Sequence, residues 1–238
     1  MRLDKFLSVT ATATRKETAK AVRAGGVTVN GGVAKRADVQ IDPERDVICF
    51  FGKTVLYKQF RYVLLNKPDG YVSATEDGRD PTVLELLPPL YTDLALFPCG
   101  RLDKHTLGLM LLTNDGDTAH RLLSPRHHVK KQYRFRVKFP LSEADCARFR
   151  DGVTLEDGYE TKPADIVLDE DLRSGTVTLI EGKYHQIKRM MESLHNQITY
   201  LERVTFGPLT LPEGMERGEW RELTAEEEAA LLAAAGTP

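Results

Sequence analysis

Between Lys131 and Phe139 the chain reads KQYRFRVKF, and few patterns of nine residues leave the backbone so little choice. Tyr133, Phe135, Val137 and Phe139 fall on one side, Arg134, Arg136 and Lys138 on the other. Successive side chains of a strand point to opposite faces, so this alternation describes a strand with one apolar and one wet face. Strands of that kind belong to antiparallel sheets. Further strand patterns lie at 62–65, 109–112, 162–168, 176–181 and 198–205, with short closing segments at 209–211 and 220–223. Helical patterns stand between them at 115–123 and 142–150 and from His185 onward, and Thr224 with Glu227 caps a terminal helix. Residues 60–238 therefore predict an α+β domain on a mixed, mostly antiparallel sheet with flanking helices.

The first 59 residues differ in kind. Leu3, Phe6 and Leu7 recur at helical spacing, and Thr14 with Glu17 forms a capping box for a second helix that stops at Gly25-Gly26. On that helix Thr18, Ala19 and Val22 face inward, while Lys16, Lys20 and Arg23 form a basic stripe. Val27-Thr28-Val29 followed by Asn30-Gly31 reads as a hairpin. Residues 1–59 carry 11 Lys and Arg against 6 Asp and Glu, net +5; residues 60–210 carry 20 against 22, net -2; residues 211–238 carry 2 against 7, net -5. A solvated face accounts for the stripe by itself, but a basic module on a near-neutral body points to a polyanion met through that module. Cys49, Cys99 and Cys146 have neither disulfide-framework nor zinc-site spacing. The N-terminus has no apolar core of signal-peptide length and no apolar run approaches a membrane span, so a soluble cytoplasmic protein is expected.

Chemistry concentrates in three stretches. In GRLDKHTLGLMLLTNDG, from Gly100 to Gly116, one carboxylate, Asp103, sits between a glycine turn and a buried strand, flanked by Arg101 and Lys104. Capping of a turn or pairing with Arg101 accounts for such an acid as well as catalysis does. In EGKYHQIKRMMESLHN, from Glu181 to Asn196, Ile187, Met190, Met191 and Leu194 form an apolar stripe with Lys188 at its edge. Asn66-Lys67-Pro68-Asp69-Gly70 is a turn, with Lys67 open to an RNA phosphate. The adjacent His127 and His128, in the loop Ser124-Pro125-Arg126-His127-His128, lack a third ligand at useful spacing, so no metal site is expected.

GRLD, Thr106, Gly108 and the LLTNDG ending resemble the catalytic motif of pseudouridine synthases, in the branch named for ribosomal small-subunit pseudouridine synthase A. NKPDG, SPRHH, the Lys131-x-Tyr133 pair, EGKYHQIKRM, and Leu201, Arg203, Phe206 and Gly207 extend the resemblance to about Leu223. RLDKFL, the capped basic helix, GGVTVNG and Lys35-Arg36 are similar to the S4-like RNA-binding module, which divides the chain into an S4-like domain at 1–59 and a synthase domain at 60–238. The resemblance implies conversion of uridine to pseudouridine in ribosomal RNA, without cofactor or metal, at uridine 516 of 16S rRNA or in a small-subunit assembly intermediate. A monomer working away from membranes is expected. Large-subunit (23S) rRNA, or a non-catalytic RNA-binding or assembly factor, are the alternatives.

The same resemblance implies the residue roles. Asp103 is the catalytic acid, acting at C1′ of the ribose, at C6 of uracil, or in elimination at the sugar. Tyr133 stacks on the base and is a candidate general base, Lys188 pairs with Asp103, and Ile187 lines the uracil pocket. Arg101 enters the space the flipped nucleotide leaves, with Lys131, His127 and His128 as further substrate contacts. Arg15, Lys16, Lys20, Arg23, Lys35 and Arg36 face RNA from the S4-like module.

Overall fold

The computed structural model of the chain describes residues 1–124 and 126–236, and the chain folds as two compact units. The first comprises Met1–Arg61 with Leu84–Phe97, the second Tyr62–Val83 with Pro98 onward. Leu84–Phe97 thus packs with the N-terminal unit, whereas the sequence reading kept that stretch with the rest of 60–238.

In the first unit, α1 (Leu3–Val9) and α2 (Arg15–Arg23) pack on a four-stranded sheet of β1 (Val27–Val29), β2 (Gly32–Val33), β3 (Ile48–Phe50) and β4 (Lys53–Val55), in the order β2-β1-β3-β4. The capping box of α2 is present, with Thr14 and Glu17 satisfying each other's backbone N–H groups. Asn30 and Gly31 both take positive φ, 51° and 80°, which a two-residue turn between twisted strands requires. Leu3, Phe6, Leu7, Ala21, Val22, Val27 and Ile48 form the core. Ala21 takes the inward position expected of Ala19, which is only partly covered. The 3-10 turn Pro89–Leu94 lies on α1, where the Ser8 hydroxyl donates to the Asp93 carboxylate.

The second unit is built on one large sheet. Its strands in chain order are β5 (Tyr62–Lys67), the two-residue β6 (Phe97–Pro98, of which only Pro98 belongs to this unit), β7 (Leu107–Thr113), β8 (Lys131–Val137), β9 (Asp165–Leu168), β10 (Ser174–Leu179), β11 (Ile198–Phe206), β12 (Leu209–Thr210) and β13 (Trp220–Glu222). The order β13-β5-β7-β11-β8-β10-β9 is antiparallel at every junction except β7 with β11, which run parallel. The flanking helices are α3 (Gly116–Leu123), α4 (Glu143–Asp151), α5 (Gln186–Glu192) and α6 (Ala225–Ala234). β5 is buried along its whole length between β13 and β7, Tyr62 to Leu65 by apolar packing and Asn66 and Lys67 through side-chain hydrogen bonds to backbone carbonyls. β8 alternates buried and exposed as its pattern predicts, but Phe139 falls beyond the strand end and is exposed.

The parallel β7–β11 pairing depends on Gly108. Its φ is +96°, and a Cβ there would run into the Arg203 carbonyl oxygen. Arg203 itself is buried, its Nε donating to the Leu109 carbonyl at 2.7 Å, so the two central strands are tied by a side chain as well as by their ladder.

Candidate active site

Asp103 stands on a loop held from three sides. Gly100 turns the chain with φ +84°, and the Ser73 hydroxyl both accepts from the Leu102 N–H at 2.9 Å and donates to its carbonyl at 2.8 Å. Lys67 provides the third hold. It is fully buried, and its Nζ donates to the carbonyls of Lys104 and Thr106, each at 2.9 Å, and of Pro68 at 3.1 Å. Three ammonium N–H bonds meeting three carbonyls leave Lys67 nothing to offer an RNA phosphate, which corrects the surface-contact reading. Asn66 and Lys67 belong to β5 rather than to the turn that follows. Burial lowers the Lys67 ammonium to about 8.

The flanking cations do not pair with Asp103. Lys104 reaches Asp80 at 2.6 Å, and Arg101 is exposed at the pocket edge. The partner of Asp103 is Lys188, whose Nζ lies 2.6 Å from Oδ2, and His185 Nε2 lies 3.4 Å from Oδ1. Both members of the Asp103–Lys188 pair are about three-quarters covered, with side-chain exposures of 28% and 26%. The carboxylate is thus held by a short charge-assisted bond at Oδ2 and has the imidazole near Oδ1.

α5 delivers Lys188. Ile187, Met190 and Met191 bury its apolar face, while Leu194 lies past its end and is half-buried. The buried Glu181 carboxylate holds the helix entry: it accepts from Gln186 Nε2 at 2.7 Å, from the Tyr159 hydroxyl at 2.9 Å and from the Lys162 N–H at 2.9 Å. Gln186 Oε1 in turn accepts from the Lys183 N–H at 2.9 Å. Immediately before the helix His185 takes the left-handed conformation, φ 49°, which sets its imidazole beside Asp103.

These elements line a pocket in the second unit that Asp103, Tyr133, Ile187 and Lys188 share with the exposed Arg101. Tyr133 comes from the centre of β8, paired across the sheet with Val177 and Arg203, and only 8% of it is exposed. The arrangement places a carboxylate beside an aromatic ring in a recess lined by both polar and apolar side chains, which suits attack on, or charge stabilisation of, a planar base and its sugar.

Three expected substrate contacts are not in this lining. Lys131 is turned into the interior: Nζ donates to the Val129 carbonyl at 3.0 Å and sits 5.7 Å from the Phe206 ring centroid. Burial, with the Arg203 charge, lowers its ammonium to about 8. Lys131 lies two residues before Tyr133 and so shares the buried side of β8, which takes it inward. His127 and His128 are exposed in the loop after α3, and Pro125 of that loop lies outside the described residues. Sequence reading missed His185, Gln186 and Glu181, although all three lie within the EGKYHQIKRM stretch; what it lacked was the left-handed turn at His185 that aims them.

In the N-terminal unit, Arg15, Arg23, Lys35 and Arg36 surround one cleft together with Arg2, Asp4 and Asp38. Arg36 is held by Asp38 in a two-bond pair at 2.9 and 2.7 Å. Lys16 and Lys20 are exposed on α2 outside the cleft lining.

The chain belongs to the RNA pseudouridylate synthase family, whose model matches residues 61–193, and an S4 domain matches residues 1–48. It is an RNA-modifying isomerase with an S4 RNA-binding domain in front. The chain is 44% identical over 230 residues to the uncharacterized RNA pseudouridine synthase YtzG of Bacillus subtilis (strain 168), covering 95% of this chain and 96% of that one. It is 42% identical to the ribosomal small subunit pseudouridine synthase A of Yersinia pestis, over 100% of this chain and 99% of that one. The protein of that name from Escherichia coli (strain K12) is 37% identical over 98% of this chain and its full length. Among solved structures, a crystal structure of a pseudouridylate synthase matches with a TM-score of 0.68 and 37% identity, over 97% of this chain and 99% of that one.

Proposed function

We propose that this chain isomerises one uridine of 16S ribosomal RNA to pseudouridine, at uridine 516, acting as a monomer on the RNA or on a small-subunit assembly intermediate in the cytoplasm. The observation that carries the reading is the Asp103 carboxylate, paired with Lys188 at 2.6 Å in a pocket shared with Tyr133. Full-length similarity to two small-subunit synthases supports the choice of RNA.

The uridine must leave the helix to reach Asp103, at a cost of roughly a few kcal/mol. Arg101, exposed at the pocket edge, takes up the space it vacates. Tyr133 stacks on the uracil and Ile187 closes the pocket wall. Asp103 acts as nucleophile at C1′ or at C6, in a bond that breaks again as the product forms, or assists elimination at the sugar, and Lys188 at 2.6 Å aims it. The N1–C1′ bond breaks, the uracil turns within the pocket, and C5 bonds to C1′; the C5 proton leaves and N1 gains one, so substrate and product are isomers. The basic cleft of the S4 domain holds the flanking RNA through its phosphates, which positions the substrate without reading its sequence.

The test is incubation of wild type and Asp103→Asn with unmodified 16S rRNA and with a partly assembled small subunit, mapping pseudouridine by carbodiimide-blocked reverse transcription. Wild type should give one new stop and the variant none, with RNA binding retained by both. A stop only on 23S rRNA would move the substrate; no stop on any of the three would overturn the reading.

A further inference from the structure

At the mouth of the pocket lies an aromatic surface that the reaction as described does not use. Tyr184 is 69% exposed, though its neighbours in sequence, Lys183 and His185, both line the pocket. Its ring is stacked on the His185 imidazole, with centroids 3.8 Å apart and planes 16° from parallel. Consecutive side chains seldom lie face to face. Here the left-handed backbone at His185 brings them together, a conformation that costs a non-glycine residue about 1–3 kcal/mol and so needs support from its surroundings.

The result is a ladder. Asp103 touches the edge of His185 at 3.4 Å, one face of His185 meets Tyr184, and the other face of Tyr184 is turned toward solvent. Two further cations lie nearby: Lys183 stands 4.7 Å over the Tyr159 ring, and the exposed Arg101 lines the same pocket. A flat aromatic face among cations suits a nucleobase and its phosphate better than an apolar protein segment.

We propose that the open face of Tyr184 stacks on a nucleobase next to the target uridine, so that the Tyr184–His185 pair holds the RNA strand at the point where the uridine leaves it. This rests on the reading of the pocket as the uridine site. The stack continues the pocket outward by one aromatic layer, and the base that occupies it anchors the neighbouring nucleotide. Tyr184 is a positioning residue in this scheme, since it touches no reacting atom.

The test compares Tyr184→Phe, Tyr184→Leu and Tyr184→Ala in the full chain, first by filter binding to a 16S transcript, then by single-turnover conversion with enzyme in excess. Phe keeps the aromatic face and should bind as wild type, whereas Leu and Ala should bind about tenfold more weakly. At saturating enzyme the conversion rate of the Leu and Ala variants should stay within about threefold of wild type, separating strand holding from chemistry. Thermal melts should show all four proteins folded at the assay temperature, and Phe, which keeps the stack on His185, should melt as wild type. Equal affinity of all four proteins would overturn the proposal and leave the face for a protein neighbour; weakening by Phe as much as by Leu would overturn it in favour of a hydroxyl contact. If wild type binds without converting, the functional reading fails, and the ratio of Leu to Phe binding still decides the stack.

Discussion

Lys188 and Asp103 lie 85 positions apart in the chain and 2.6 Å apart in the fold. Each is presented by an element with its own anchors, the Asp103 loop by Lys67 and Ser73, α5 by Glu181 and the buried Met190 and Met191. The pair is therefore set by the scaffold rather than by the flexibility of a long lysine, and the carboxylate is aimed before RNA arrives.

Replacing Lys188 with Met should lower the single-turnover rate by roughly a hundredfold, the usual loss when a charged partner is removed from a reacting group. Lys188→Arg should recover part of it, since a guanidinium also reaches a carboxylate. Affinity for a 16S transcript should be unchanged in both. A Met variant at wild-type rate would show that Asp103 needs no cation.

Lys67→Met should act on stability and rate together. Three carbonyls around Asp103 would lose their donor, at a cost of about 2–3 kcal/mol, and the loop would no longer be held. Chemical denaturation would report the first effect and conversion at saturating enzyme the second. RNA affinity should not move; a selective loss of affinity would place Lys67 on the RNA after all.

Gly108→Ala should be severe and Gly116→Ala harmless. The first forces a Cβ onto the Arg203 backbone at φ +96°, with an expected cost of about 3 kcal/mol or more. At Gly116, the first residue of α3, a Cβ meets nothing within 4 Å, and alanine should be neutral or stabilising by up to about 1 kcal/mol. Melting temperatures of the two variants give the comparison directly.

Glu227 carries an acid-range signature. Two bonds from the Arg221 guanidinium, each 2.6 Å, and the Thr224 N–H at 2.9 Å bring its carboxyl from 4.5 down to about 2. A carboxyl lowered on folding contributes stability that is complete above its unfolded value and is lost as pH falls through the folded one. Glu227→Gln should thus be less stable than wild type at neutral pH, and the gap should close between about pH 4.5 and 2. Denaturation curves over that range test it, and a gap that does not change with pH would assign the loss to packing.

Local pattern made most of the elements legible. The alternation of β8, the caps of α2, α4 and α6 and the Asn30-Gly31 turn each rest on neighbours within a few residues, so they could be read before any tertiary contact was known. Boundaries slipped where packing had the last word: β9 begins at Asp165 rather than 162, and Ser174 and Gly175, expected in the turn, pair within β10. Lys67 and Lys131 were misplaced for a single reason. A lysine is read as exposed by default, and only the arrangement of distant carbonyls and rings shows that burying it is affordable.

By itself the sequence determined most of the longer strands and helices, though not the short strands at 48–50, 53–55 and 97–98, together with the basic character of the N-terminal domain and the presence of Asp103, Tyr133 and Lys188 in recognisable surroundings, because periodicity, caps and charge are local properties. The tertiary structure decided which cation meets Asp103, which way Lys131 turns, and that Tyr184 and His185 lie face to face at the pocket mouth. Those outcomes depend on backbone direction at a few glycines and at one left-handed histidine, and on contacts between residues far apart in the chain. No window of neighbouring residues contains that information.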